Sequence, residues 1–181
     1  DRVMRTRVTA ILVAHRGGEW LDQTIAGITG QTLAPANIIA VNSGGADSVR
    51  EQLLASGAER VVGIPTRVSF GQAIARGVEA LTPAAAGDAA AEAEWIWLLS
   101  EDSCPEPEAL ERILSRVQRA PSVVVAGPKI VDWDHPQPII ELGPRRTRYG
   151  ARRSLRPQDL DPPPYAHIQA PLGARPAATA L

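Results

Sequence analysis

Four short apolar runs mark the first hundred residues: RVTAILVA (7–14), IIAV (38–41), RVVGI (60–64) and WIWLL (95–99). Each is short and rich in β-branched or aromatic residues, so each reads as a strand. IIAV and WIWLL are apolar at every position, which predicts strands covered on both faces, while RVVGI is shorter and weaker. The segments between them have helical spacing. Leu21, Ile25 and Ile28 stand four and three apart, and Gly30 closes that run. Asp47 or Ser48 can cap a helix carrying Val49, Leu53 and Leu54, which Gly57 ends. Ser69 caps a third helix with Phe70, Ile74, Val78 and Leu81 on one stripe. Beyond WIWLL, Glu106-Pro107 opens a helix with Leu110, Ile113, Leu114 and Val117 on its apolar face. Val123–Ala126 reads as a fifth strand. Strand and helix alternate, which predicts a parallel sheet with helices on both faces and right-handed crossovers.

Other segments are less regular. Residues 82–94 (TPAAAGDAAAEAE) read as a helical extension or a surface loop, and Pro83 and Gly87 favour the loop. Ile139–Gly143 is expected to pair with Arg148-Tyr149 as a hairpin. From Ser154 the chain is Pro-rich and aperiodic, which predicts a long loop or partial disorder. The expected division is an α/β domain over residues 1–143 and a hairpin with a Pro-rich tail over 144–181. The chain opens on DRVMRTR without an initiator Met and reads as a segment of something longer.

Composition sets limits. A chain 44% hydrophobic and 22% charged has enough apolar material for a real core. A net charge of -1 gives no basic field to draw nucleic acid. Cys104 is the only cysteine, which excludes an internal disulfide and a Cys-based zinc cluster. No apolar run approaches the length that crosses a bilayer. The arginines at 145, 146, 148, 152, 153 and 156 read as a solvated face, with phosphate or an anionic lipid surface as the alternative. His135 and His167 read as surface loop residues.

Three strand ends carry the candidate chemistry: Ala14-His15-Arg16-Gly17-Gly18, Asn42-Ser43-Gly44-Gly45 and Ser100-Glu101-Asp102. In a parallel sheet these lie along one edge, where open α/β folds bind ligands. Adjacent glycines let a backbone approach a ligand closely or take positive φ. The plainer alternative is that the glycines make an ordinary strand-to-helix turn and that the acids merely end a strand. No G-x-G-x-x-G follows the first strand and no G-x-x-x-x-G-K-[ST] occurs, so the nicotinamide and P-loop readings lose their main support.

In order and spacing, four segments resemble the donor-binding half of family 2 glycosyltransferases with the GT-A fold. They are VTAILVAHRGGEWLDQTIAGITGQT (8–32), IIAVNSGGADS (38–48), SFGQAIARGVEAL (69–81) and WIWLLSEDSCPEPEALERIL (95–114). KIVDWDHPQPIIELGPRRTRYG is similar to a subgroup found ahead of membrane-spanning regions in actinobacterial proteins. The resemblance implies a three-layer α/β/α, mostly parallel, Rossmann-like sheet, incomplete at the C-terminal side. It implies that a nucleotide-diphosphate sugar lies across Ala14, His15, Arg16 and Asn42, with Gly44, Gly71, Arg76 and Glu101 also at the donor. Asp102 takes the place of the metal-binding aspartate, for Mg²⁺ or Mn²⁺. Ser100 replaces the first acid of that motif, a neutral and weaker ligand, and Asn42 replaces a base-recognising aspartate. Glu101 is expected to compensate for Ser100 only if its side chain, next to Asp102 on a strand, turns to the same side. No catalytic base is assigned within the chain. The implied partners are a donor sugar nucleotide and a glycan or lipid-linked acceptor, with no nucleic acid. The implied setting is cell-envelope synthesis at the cytoplasmic face of the plasma membrane, through regions outside the chain, with self-association possible. The alternative is a non-catalytic scaffold of the same fold.

Overall fold

The computed structural model describes residues 5–81, 91–120, 122–124, 126, 129–132, 139–141, 144–146, 152–154 and 169–172. The chain forms two compact units: residues 1–25 with 35–101, and residues 26–34 with 102–181.

The first unit is built on four parallel strands: β1 (Arg5–Ala14), β2 (Asn37–Ser43), β3 (Arg60–Ile64) and β4 (Ala91–Ser100), in the order β3-β2-β1-β4. β1 is central, and its Ala10, Ile11 and Leu12 have no exposed surface. That is why the run is apolar at every position instead of every second one. Three helices connect the strands: α1 (Glu19–Thr29), α2 (Asp47–Ala55) and α3 (Phe70–Glu79). The chain steps from β1 to β2 to β3 in one direction, then crosses back to β4 on the far side of β1. With right-handed crossovers, α1 and α2 cover one face and α3 the other. The α3 face is a cluster of Ile11, Val41, Ala73, Ile74 and Leu98. The reversal of direction makes the C-terminal ends of β1 and β4 the switch point of the sheet, the usual ligand position of such folds.

The helix boundaries follow the sequence closely, with instructive exceptions. Ser69 caps α3 in a full capping box with Gln72, as expected. At α2 the N-cap is Ala46, with no side-chain cap, so neither Asp47 nor Ser48 fills that role. Leu54 and Val78 are exposed, contrary to the predicted stripes. On α3 the buried face is Ala73, Ile74 and Gly77, turned so that the helix lies close to the sheet. A β-carbon at Gly77 would come within 2.7 Å of Ile11 Cγ2, so Gly77 permits that approach.

The second unit contains α4 (Ala109–Gln118), which buries Leu110, Ile113, Leu114 and Val117 as expected, although its first turn begins after Pro107. Val123, Val124 and Ala126 are not in a strand, and Val124 is largely exposed. The strand in this region is β5 (Lys129–Asp132), which pairs antiparallel with β6 (Ile139–Glu141). β7 (Pro144–Arg146) pairs antiparallel with β8 (Arg152–Ser154). β9 (Gln169–Leu172) joins β5 in parallel, which gives the Pro-rich tail an ordered element that its composition hides. Residues 82–90 and 148–149, on which expectations also fell, lie outside the described residues. No helix among the described residues is long and apolar enough to cross a membrane.

Candidate functional site

The turn between β1 and α1 is made of His15, Arg16, Gly17 and Gly18. Gly17 and Gly18 have φ of +68° and +84°, which only glycine adopts cheaply. This conformation turns successive backbone N–H groups toward one point, a concavity suited to an anion. The anion present is the carboxylate of Glu101, the first residue after β4. Its Oε2 accepts from the N–H of His15 at 3.0 Å and of Gly17 at 2.8 Å. The N–H of Arg16 is shared between Oε1 at 2.9 Å and Oε2 at 3.0 Å. The fourth donor, Gly18 N–H, goes to Gln52 Oε1 at 3.0 Å, while Gln52 Nε2 donates to Gly18 O and Asp22 Oδ1. Every N–H of the turn is therefore held by a side chain from another element.

The backbone of Glu101 is fixed as well. Its N–H donates to Val13 O at 3.0 Å, and its carbonyl accepts from the buried Thr24 hydroxyl at 2.8 Å. Alternation along an ideal strand would put Glu101 and Asp102 on opposite sides, and the Glu101 side chain indeed turns to the β1–α1 turn.

The loop after β2 locks onto the same turn. His15 Nδ1 lies 2.7 Å from Ser43 O. A carbonyl only accepts, so Nδ1 carries the proton of this bond. Asn42 is buried, with Oδ1 accepting from Gly45 N–H at 2.8 Å and Nδ2 donating to Gly45 O at 3.3 Å. Its amide thus closes the β2–α2 turn. A β-carbon on Gly45 would lie 2.5 Å from both His15 O and Asn42 Oδ1. Gly44, at φ +67°, meets the loop after β3, and a β-carbon there would fall on the backbone of Thr66 and Arg67. Ser43 Oγ accepts from Val68 N–H at 3.1 Å. The loops after β1, β2 and β3 and the end of β4 thus meet backbone to backbone along one rim.

Of the residues singled out from sequence, Ala14, His15, Arg16, Asn42, Gly44 and Glu101 lie in this rim. Ala14 is buried at the end of β1, His15 is half-buried and Arg16 is exposed. Gly71, in the first turn of α3, is exposed, with no atom within 4 Å of where a β-carbon would stand. Arg76 is exposed and pairs with Glu79 at 3.1 Å. It lines a hollow of about 400 Å³ beside β3, with Val62, Gly63, Ile64 and Pro65, and none of the rim residues named above lines that hollow. Asp102 is half-buried and belongs to the second unit. Gln52 and Thr24 were not legible as site residues, and Ser43 was marked only as part of its strand end. The only sequence signal for them is their position one or two turns into a helix or at a strand end.

A Mg²⁺ or Mn²⁺ ion asks for oxygen ligands. Glu101's carboxylate is committed to N–H groups and Ser100 is neutral. Among the described residues no group of three or more His, Cys, Asp or Glu gathers that could hold a metal. These residues alone therefore make no metal site.

The sequence profile of Glycosyl transferase family 2 matches residues 9–161. No curated protein sequence matches the chain. Among solved structures, S. aureus TarS 1-349 superposes with a TM-score of 0.51 at 9% identity, over 70% of this chain and 35% of that one. Glucosyl-3-phosphoglycerate synthase from Mycobacterium tuberculosis, in complex with Mn²⁺, uridine diphosphate and glucosyl-3-phosphoglycerate, superposes with a TM-score of 0.50 at 18% identity, over 70% of this chain and 43% of that one. At these identities the likeness is one of fold. The chain spans less than half the length of either structure.

Proposed function

The chain belongs to glycosyl transferase family 2, and from that premise we propose that it is the donor-binding part of a glycosyltransferase. The reaction is transfer of a sugar from a nucleoside diphosphate to an acceptor hydroxyl. The acceptor oxygen bonds to the anomeric carbon, the bond from that carbon to the diphosphate breaks, and the hydroxyl proton passes to a base. No residue of this chain is assigned that last role.

One observation carries the reading: the loops after β1, β2 and β3 and the end of β4 are tied into one rim at the switch point where the sheet changes direction. The nucleotide lies along that rim, over Ala14, His15 and Arg16. The His15 ring presents Nε2 at a fixed orientation, because Nδ1 donates to Ser43 O. Arg16 offers an exposed charge to the diphosphate. Gly44 keeps the rim low, and Asn42 shapes its loop from beneath. Gly71 leaves the first turn of α3 open to a polar ligand. Arg76 serves the hollow beside β3 instead. Asp102 takes the metal role on its motif alone, and a bound cation supplies charge neutralisation for the departing diphosphate. A glycan or lipid-linked acceptor, a cell-envelope product and action at the cytoplasmic face of the plasma membrane complete the proposal. The sequence resemblance supports these last features.

The commitment of Asn42 and Glu101 to backbone groups favours a second reading, a non-catalytic module of a larger assembly. Isothermal titration with uridine and guanosine diphosphates, with and without Mn²⁺, separates the two. Mn²⁺-dependent binding that Asp102→Ala removes supports the donor site. Absence of binding to either nucleotide under both conditions refutes it and leaves the scaffold.

A further inference from the structure

Glu101 has the look of a motif acid, but the hydrogen bonds to its carboxylate come from backbone. Three successive N–H groups converge on its carboxylate, Val13 O takes its N–H, and Thr24 holds its carbonyl. Hydrogen bonds to a charged acceptor are about twice as strong as neutral ones. We infer that Glu101 is a positioning residue, which holds the β1–α1 turn in the shape the nucleotide reads and serves neither the donor nor a cation as a ligand.

The argument rests on connectivity. The C-terminal ends of β1 and β4 are where the sheet would admit a ligand, and the Glu101 carboxylate ties the end of β4 to the β1–α1 turn there. Gly17 and Gly18 stiffen nothing by themselves, since glycine is the residue that loses most freedom when ordered. Gln52 restrains only the Gly18 end of the turn. The His15 end depends on Glu101, and the His15 ring is what reaches across to Ser43. Without the carboxylate, three N–H donors lose their acceptor, and the imidazole loses the backbone that aims it. The same geometry has a chemical corollary. While Glu101 fills the concavity, a diphosphate cannot use the N–H groups of residues 15–17, so it lies farther out, toward the Arg16 side chain.

The inference rests on the donor-site reading for the word nucleotide, but its core, the clamp, does not. The test therefore has two parts on the full chain. Glu101→Gln keeps size and shape and removes the charge. Amide hydrogen exchange without ligand should rise about tenfold at His15, Arg16 and Gly17, the factor by which charged and neutral acceptors differ. Exchange in the centre of β1 should stay as in the wild type, which reports an intact sheet. Unchanged exchange at 15–17 overturns the inference whatever the protein binds. The second part compares uridine, by NMR titration, with uridine diphosphate and Mn²⁺, by calorimetry. A clamp weakens both by a similar factor and leaves the Mn²⁺ concentration for half-effect unmoved. An intact uridine affinity with a lost or shifted Mn²⁺ dependence makes Glu101 a ligand and overturns the inference. If the wild type binds no nucleotide, the donor reading fails, while the exchange result still decides the clamp. Should Glu101→Gln not fold, Thr24→Val removes the hydroxyl that holds Glu101's carbonyl and leaves the carboxylate in place. Exchange at 15–17 should then rise by a smaller factor, and no rise refutes the clamp.

Discussion

Replacing Gln31 with methionine tests how the second unit is held together. Gln31 is 7% exposed. Its Nε2 donates to Gly27 O at 2.9 Å and Glu106 O at 2.7 Å, and its Oε1 accepts from Leu110 N–H at 2.9 Å. One side chain thus closes the end of α1, the loop before α4 and the first turn of α4. Methionine keeps the unbranched length and nearly the volume, so the cavity term is small. What is lost is three hydrogen bonds, each worth about 1 kcal/mol net, with their backbone partners left buried. We expect Gln31→Met to destabilise by about 3 kcal/mol. For a chain of this size that lowers the melting temperature by roughly 6–12 °C. Urea unfolding followed by circular dichroism should show a lower midpoint at an unchanged slope. Gln31→Glu should do worse, because an oxygen then faces two carbonyls. A Gln31→Met variant within about 1 kcal/mol of the wild type would refute the reasoning, since the loss of three buried bonds predicts more.

Two further outcomes follow from the same structure. Gly44→Ala and Gly57→Ala both force positive φ on alanine, which costs about 1–2 kcal/mol, but only at Gly44 does the new methyl strike backbone. Gly44→Ala should therefore be clearly the more destabilising in urea, and equal losses would mean the rim loops yield freely. Burial, and after it the nearby Glu106, raises the Cys104 thiol above its ordinary range. The thiolate is the reactive form, so alkylation by iodoacetamide should gain speed at a higher pH than for an unfolded peptide containing the same cysteine. A midpoint equal to the peptide's would place Cys104 in a water-like setting.

Much of the fold was legible because it depends on local pattern. Consecutive apolar positions in 38–41 and 95–99 predicted strands without a wet face, and Ile39, Ala40, Val41, Leu98 and Leu99 are buried as that requires. The Ser69 cap was readable because a capping box lies within four residues. Errors arose where a neighbour distant in sequence decides. Val78 was placed on the buried stripe of α3, but Gly77 lets the helix approach Ile11 and rolls Val78 outward. The tail at 169–172 looked structureless because its order comes from pairing with β5, a partner about forty residues away.

The sequence by itself determined the order of elements, the parallel sheet and the strand ends at which polar residues would collect, because periodicity and turn chemistry act over a few residues. It also carried the family, through motifs in fixed order. The tertiary structure alone decided what those polar residues do. That Glu101 holds the turn at 15–17 follows from backbone donors 84 to 86 residues away in the chain, which the pairing of β1 with β4 brings to it, while Asn42 is used up within its own loop and Arg76 lines a different hollow.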